Sequence, residues 1–453
     1  MNNKRTVDVQ TFIDSQRFSP FQWTILVLCF LVVAADGMDT AAVGFIAPSL
    51  VQELGVARAA LGPVMSAALV GLGIGALGAG PLADRVGRKT VLVLSVFFFG
   101  MWSFAAARAT SIESLTLMRF MTGLGLGAAM PNAVTLMSEY APARIRAVAV
   151  NAMFSGFSCG VAIGAVSSAW FIPHFGWQSV LIAGGVGPIA LTFVLVMLLP
   201  ESAQFMVTKE HGHARVARVL SRIAGDARFD ECRFVAIDAT VENRGSALRV
   251  VLSSRYRFGT LMLWLAYFMG LLIYYLLTNW LPTLFRDAGF SGQNAALMTS
   301  LFPIGGVAGN LSVGWLMDRF KANRVIACTY VVSAVLVMLV GHGIGHQLWL
   351  GTLIFLTGTV ATSAVTSMSA LAANFYPTEG RATGVAWMIG MGCIGGVTGA
   401  LVGAALMELG WQFGSVFSLL AVPAMIAACG VYATARRART SNIDDAKLTP
   451  AVE

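Results

Sequence analysis

Gly80-Pro-Leu-Ala-Asp84-Arg85 returns 234 residues later as Gly314-Trp-Leu-Met-Asp318-Arg319. The same offset carries Pro48 to Pro282, Gly55 to Gly289, Gly176 to Gly410 and Trp177 to Trp411. These positions fall in loops or near the ends of apolar runs. Six such runs lie at roughly 21–46, 61–80, 90–107, 112–137, 147–171 and 177–199, each near the ~20 residues an apolar helix needs to cross a bilayer. A polar stretch from Glu201 to Arg257 follows, then six more runs at roughly 258–284, 294–317, 325–341, 348–372, 382–406 and 412–434 by the same criterion. The expected fold is all-α and membrane-embedded, with twelve spans in two pseudo-symmetric six-helix halves. Its parts are a terminal segment 1–20, halves 21–200 and 258–434, a loop 201–257 and a tail 435–453. Parallel repeats of this kind mark one class of secondary transporters, whose substrate binds midway between the halves.

Composition agrees. Hydrophobic residues make up 57% of the 453 and charged residues 11%, less than half the roughly 25% of a soluble domain. That excludes a soluble enzyme. The 48 glycines suit close helix packing in a bilayer. A net charge of +8 could suggest nucleic acid, but the basic residues sit in short loops between spans, where they orient the chain. Of 30 Lys and Arg, 26 fall on the side of both termini, against Arg58, Arg108 and Arg286 on the other, so both termini are expected to be cytoplasmic. The six cysteines contain no C-x-x-C pair and imply neither a disulfide nor zinc. The first apolar run lacks a cleavage-type sequel and reads as a span, not a signal peptide.

The segment Gly80-Pro-Leu-Ala-Asp84-Arg85-Val-Gly87-Arg88-Lys89 resembles the loop signature of the major facilitator superfamily, and Gly314 to Arg319 is its weaker echo. Arg119-Phe-Met-Thr-Gly123-Leu-Gly125-Leu-Gly127 resembles that family's fourth-helix motif, and Pro200-Glu201-Ser202 fits after the sixth span. Within the superfamily, Asp36-Gly37-Met38-Asp39-Thr40 through Ala47-Pro48 is similar to the aromatic acid:proton symporters, as are Ser138-Glu139-Tyr140, Phe175-Gly176-Trp177 and Asn279-Trp280-Leu281-Pro282. The resemblance covers essentially the whole chain. It implies proton-coupled import of a small aromatic carboxylate, such as benzoate, a hydroxybenzoate or protocatechuate, across the bacterial inner membrane by alternating access. Such uptake would serve aromatic compound catabolism. One departure stands out: Gly390-Met-Gly392-Cys393-Ile-Gly395 has Cys393 where the family pattern has Arg, so the carboxylate is held differently or the substrate is atypical.

Asp36 and Asp39, three apart in an apolar helix, share nearly one face. Intramembrane carboxylates are costly unless they meet a wet cavity, a partner or a proton, which makes this pair the proton-coupling candidate. Their repeat mates are Gly270 and Ile273, so the acids are no part of the duplicated scaffold. Arg119 is the one cation well inside a span and is expected to meet a substrate carboxylate or an Asp; the plain alternative is a fixed buried ion pair. Asn132, Tyr267, Tyr274, Asn279, Asn310 and Trp387 are further substrate-binding candidates, each equally readable as packing. Asp84, Arg85, Arg88, Glu139, Arg146, Asp318, Arg319, Glu379 and Arg381 are expected to form the gating charges of a rocking carrier, or to be topology charges alone.

Other patterns are decoys. Gly73-Ile-Gly75-Ala-Leu-Gly78 mimics a dinucleotide loop but lies inside a span and reads as a helix contact, like Gly156/Gly160/Gly164 and Gly395/Gly399/Gly403. His342 and His346 flank a glycine-containing loop, so no metal is expected. Arg215, Arg218 and Arg222 suggest an amphipathic helix lying on the anionic lipid surface. Trp23, Trp177 and Trp411 are expected interface anchors. No cofactor or nucleic acid is implied; the expected partners are an aromatic acid anion, a proton and the bilayer, with a monomer sufficient. Two rival readings remain, a proton/drug antiporter of the same fold and a membrane-bound sensor.

Overall fold

Twelve helices long and apolar enough to cross a membrane are found among the described residues of the computed structural model. It describes residues 5–55, 57–208, 213–225, 229, 232–235, 249–343, 347–376 and 378–448. A strand β1 (Arg5–Asp8) and helix α1 (Val9–Ser15) precede α2 (Pro20–Leu54), α3 (Leu61–Val86), α4 (Arg88–Ala106), α5 (Ile112–Tyr140), α6 (Arg146–Phe175) and α7 (Gln178–Leu198). The central stretch supplies α8 (Ala203–Thr208), α9 (His213–Ala224) and β2 (Cys232–Val235). The second set is α10 (Arg257–Asp287), α11 (Gly292–Arg319), α12 (Ala322–His342), α13 (Gln347–Phe375), α14 (Thr378–Glu408) and α15 (Phe413–Leu448).

Local chemistry starts and stops these helices. Ser111 and Ser114 cap α5 reciprocally, each hydroxyl accepting the other's backbone N–H at 3.2 Å. The repeat-related glycines explain their own duplication: Gly55 and Gly289 have φ of 61° and 91°, and Gly176 and Gly410 have 76° and 71°. A side chain there would be strained, so both copies of the turn keep glycine.

Glycine also sets the helix contacts. In the first half, Gly156, Gly160 and Gly164 of α6 lie against Phe30, Ala34 and Met38 of α2; in the second, Gly395, Gly399 and Gly403 of α14 lie against Phe268, Leu272 and Trp280 of α10. Gly71 and Gly75 of α3 meet α5 at Phe120 and Leu124, and their mates 234 residues on, Gly305 and Gly309 of α11, meet α13 at Phe355 and Thr359. Of the dinucleotide-like trio only Gly75 is such a contact, because Gly73 and Gly78 face open space. Large apolar side chains such as Leu77, Phe193, Met197 and Val335 are exposed, as a lipid-facing surface requires.

The chain divides into two compact units, one of residues 1–42 and 67–240, the other of residues 43–66 and 241–453. In the first, β1 and β2 pair in parallel, Arg5 opposite Cys232 and Asp8 opposite Val235. Here α9 departs from expectation. Its apolar residues Val216, Leu220 and Ile223 are buried in one core with Val9, Ile13 and Leu136, so protein covers that face and its arginines lie exposed on the other. Trp177 departs too: it is 2% exposed at the start of α7, whereas Trp23 and Trp411 are exposed as anchors would be. In the second unit, segment 43–66 packs on α10 and α14. Gly44 abuts the backbone of Thr278 and Asn279, Gly62 abuts Ala404, and Arg58 forks onto both carboxylate oxygens of Asp287 at 2.6 and 2.7 Å.

Candidate functional site

The acids of α2 sit in different environments although they share a helix face. Asp39 is fully buried and saturated. Arg119 Nη1 donates to its Oδ2 at 2.8 Å, Arg119 Nη2 donates to its backbone carbonyl at 3.0 Å, and Ser103 Oγ of α4 donates to Oδ1 at 2.6 Å. Gly184 of α7 makes room for this cluster, since a Cβ there would stand 3.3 Å from Ser103 Oγ and 3.8 Å from Asp39 Oδ1. Ser103, Gly184 and Thr40 were not among the sequence candidates; a single serine or glycine in an apolar run carries no periodic signal that would raise it.

Asp36, one turn earlier, is also buried. Among the described residues its hydrogen-bond donor is Thr40 Oγ1, at 3.0 Å, and no cation pairs with it. Arg119 itself is 1% exposed, and its Nε–H is buried without an acceptor among the described residues. The cluster therefore holds one carboxylate bonded directly to the guanidinium, one that makes no ion pair within 4 Å, and a guanidinium whose Nε–H meets no acceptor among the described residues. An unmet buried charge or donor costs several kcal/mol unless function or a ligand accounts for it.

The remaining candidates are scattered. Asn132 lies thirteen residues beyond Arg119 on α5, about 20 Å along the axis, and donates to its own Ala128 carbonyl at 2.8 Å. Asn310 accepts from Thr366 Oγ1 at 2.7 Å. Tyr267 is buried with its ring against Gly392, beside Cys393, and Tyr274 meets Tyr275 and Phe302 edge-on or tilted. Asn279 is buried and Trp387 is stacked on Trp264 with centroids 5.8 Å apart.

Of the expected gating charges, Arg88 and Glu139 come together at 3.7 Å, with Ser202 Oγ donating to Glu139. Glu201 caps α4: its Oε1 accepts the Lys89 and Ser202 backbone N–H groups, and Gly87, at φ 102°, leaves space for the carboxylate. Arg146 pairs instead with Asp14 of α1 at 3.5 Å. Arg319 lies 4.1 Å over the ring of Trp315 on its own helix, and Arg85 is exposed. The side chains of Asp84, Asp318, Glu379 and Arg381 lie outside the described residues, as does His346.

The model of the Major Facilitator Superfamily matches residues 29–296 and 263–452. The chain belongs to that superfamily. It is 51% identical to the 4-hydroxybenzoate transporter PcaK of Pseudomonas aeruginosa, over 94% of this chain and 95% of the relative. It is 47% identical to a gallate transporter of Pseudomonas putida over the same shares. Among solved structures, the D-xylose-proton symporter superposes with a TM-score of 0.70 at 16% identity, covering 90% of this chain and 97% of that one, which supports the fold. These relatives meet the family expectation drawn from the first span. The chain is a multi-pass membrane protein of a transporter superfamily.

Proposed function

We propose that the protein imports a small hydroxylated aromatic carboxylate together with a proton, with 4-hydroxybenzoate and gallate the leading substrates. The named relatives at 47–51% identity support the substrate class. The observation that carries the coupling is the contrast within the α2 pair: Asp39 is bonded directly to Arg119 and Ser103, while Asp36 makes no salt bridge among the described residues. A buried carboxylate without a counter-ion is the group that accepts a proton most readily during a transport cycle. On sequence grounds the proton falls on Asp39 or on the coupled pair; the hydrogen bonds that hold Asp39 lead us to assign Asp36 as the proton carrier and Asp39 as the latch on Arg119.

In this reading the substrate carboxylate competes with Asp39 for the guanidinium, first through the unused Nε–H. Charge bookkeeping then sets the stoichiometry. With both acids ionised, the empty cluster carries one net negative charge. With Asp36 protonated and the anion bound, it again carries one. Equal charge in the loaded and empty forms makes the electrical work of the two crossings cancel over the cycle. The lysine and arginine bias supports an inner-membrane orientation with cytoplasmic termini. The Arg88–Glu139–Ser202 network is the gating element we would expect to exchange partners as the carrier rocks.

The test is uptake of labelled 4-hydroxybenzoate, gallate and benzoate into proteoliposomes under an inward proton gradient. Asp36→Asn is expected to abolish gradient-driven accumulation while retaining exchange of substrate across the membrane, and Arg119→Ala to lose both. Accumulation that ignores the proton gradient overturns the coupling, and transport intact in both variants removes the site.

A further inference from the structure

A charged cavity lies in the first unit, away from the buried Asp39–Arg119 cluster. It has a volume of about 420 Å³ and is lined by Lys89, Glu201, Phe205, Arg215, Arg218 and Arg222. Of its eleven lining residues four are cationic and one is acidic. The acid is already engaged, because Glu201 Oε1 accepts the backbone N–H groups of Lys89 and Ser202 at 3.0 and 2.9 Å. Lys89 Nζ donates to the Val196 carbonyl at 2.8 Å, which fixes it at the rim. Arg222 lies 5.7 Å over the ring of Phe21. Arg215 and Arg218 are exposed and have no carboxylate partner among the described residues.

The positions follow from how α9 is held. Val216, Leu220 and Ile223 anchor it in the core of the unit, so residues 215, 218 and 222, spaced by three and four, project together from the opposite side. Val86 and Val219 add apolar lining; Val86 ends α3, six residues beyond the second span's end at Gly80, and Pro200 lies two residues beyond the sixth span's end at Leu198. Residues just past the ends of two spans are within reach of lipid headgroups as well as of soluble anions. Guanidinium forks match phosphate oxygens better than they match any monodentate anion.

We infer that the cavity between α9 and the start of α4 is a binding site for a phosphate-bearing anion, held by Arg215 and Arg218 with Arg222 and Lys89 at its sides. The phosphate can come from an anionic phospholipid at the membrane surface or from a soluble phosphate ester. This inference is independent of the transported substrate and of the assignment of Asp36.

The test uses the full-length protein in phosphatidylcholine nanodiscs and reads backbone hydrogen exchange across α9. One arm titrates phosphatidylglycerol into the discs; the other adds inorganic phosphate or glycerol phosphate to discs of phosphatidylcholine alone. Protection of residues 213–224 is expected in at least one arm, and the arm identifies the source. Arg215→Gln with Arg218→Gln should weaken the apparent affinity about twenty-five-fold, each surface cation contributing roughly fivefold. Lys321→Gln with Arg324→Gln, exposed basic residues of the second unit, should leave it unchanged. A single size-exclusion peak for both variants shows that they fold. No protection in either arm, protection that survives in the first variant, or equal loss in the second overturns the site.

Discussion

The Asp39–Arg119 pair makes opposite demands on stability and transport, and this allows the two to be separated. Removing one member of a buried ion pair strands the other charge at a cost of roughly 3–5 kcal/mol. Replacing both by neutral isosteres removes that penalty. Arg119→Gln should therefore lower the melting temperature of the purified carrier sharply, and adding Asp39→Asn should recover most of the loss. Uptake should stay abolished in the double variant, because no cation remains to meet the substrate carboxylate. Recovery of uptake along with stability would reduce the pair to scaffolding. The three charged members of this site are legible in the sequence because charge in an apolar run is expensive and therefore conspicuous. Their unequal partnering is not. It depends on Ser103 and Gly184, two small residues in α4 and α7 that reach Asp39 only through the packing of three helices.

Helix contacts give the second kind of prediction. A Cβ on Gly160 would overlap the Ala34 carbonyl of α2, on the same helix that bears Asp36, whereas one on Gly78 would meet nothing within 4 Å. Gly160→Leu should displace α2 and α6, lowering the yield of folded carrier by a large factor. Gly78→Ala should fold and transport as the parent does. Fluorescence-detected size exclusion of the two variants measures the contrast, and equal yields would mean that the α2–α6 contact tolerates a wider spacing. The spacing by four in Gly156, Gly160 and Gly164 makes this contact readable in the amino-acid sequence itself. The packing of α9 is not readable in that way. An amphipathic pattern says that one face seeks cover, and a bilayer and a protein core provide the same cover; here a core that includes Val9, Ile13 and Leu136 decides between them. The same limit applies to Trp177, whose position at a span end suits an anchor equally well whether lipid or protein surrounds it.

At the scale of the whole molecule, the scarcity of charge that first excluded a soluble enzyme also fixes how the carrier should respond to voltage. Moving one elementary charge through 100 mV is worth about 2.3 kcal/mol, so a single uncompensated charge per cycle would produce a strong response. The two-unit division leaves the entire Asp36–Asp39–Arg119 cluster within one unit, and that cluster carries the same net charge empty and ionised as it does with one proton and one anion bound. Coupling through Asp36 alone therefore predicts electroneutral transport. An inward proton gradient at zero potential should drive accumulation of a monovalent aromatic acid in proteoliposomes. A potassium diffusion potential, negative inside and without a pH gradient, should drive none. If the second carboxylate also took a proton, each cycle would move one net positive charge inward and the potential alone would suffice. Voltage-driven accumulation would thus transfer part of the coupling to Asp39, requiring its bond to Arg119 to break at every turnover. The Asp39→Asn variant would then lose the voltage response and keep the response to pH.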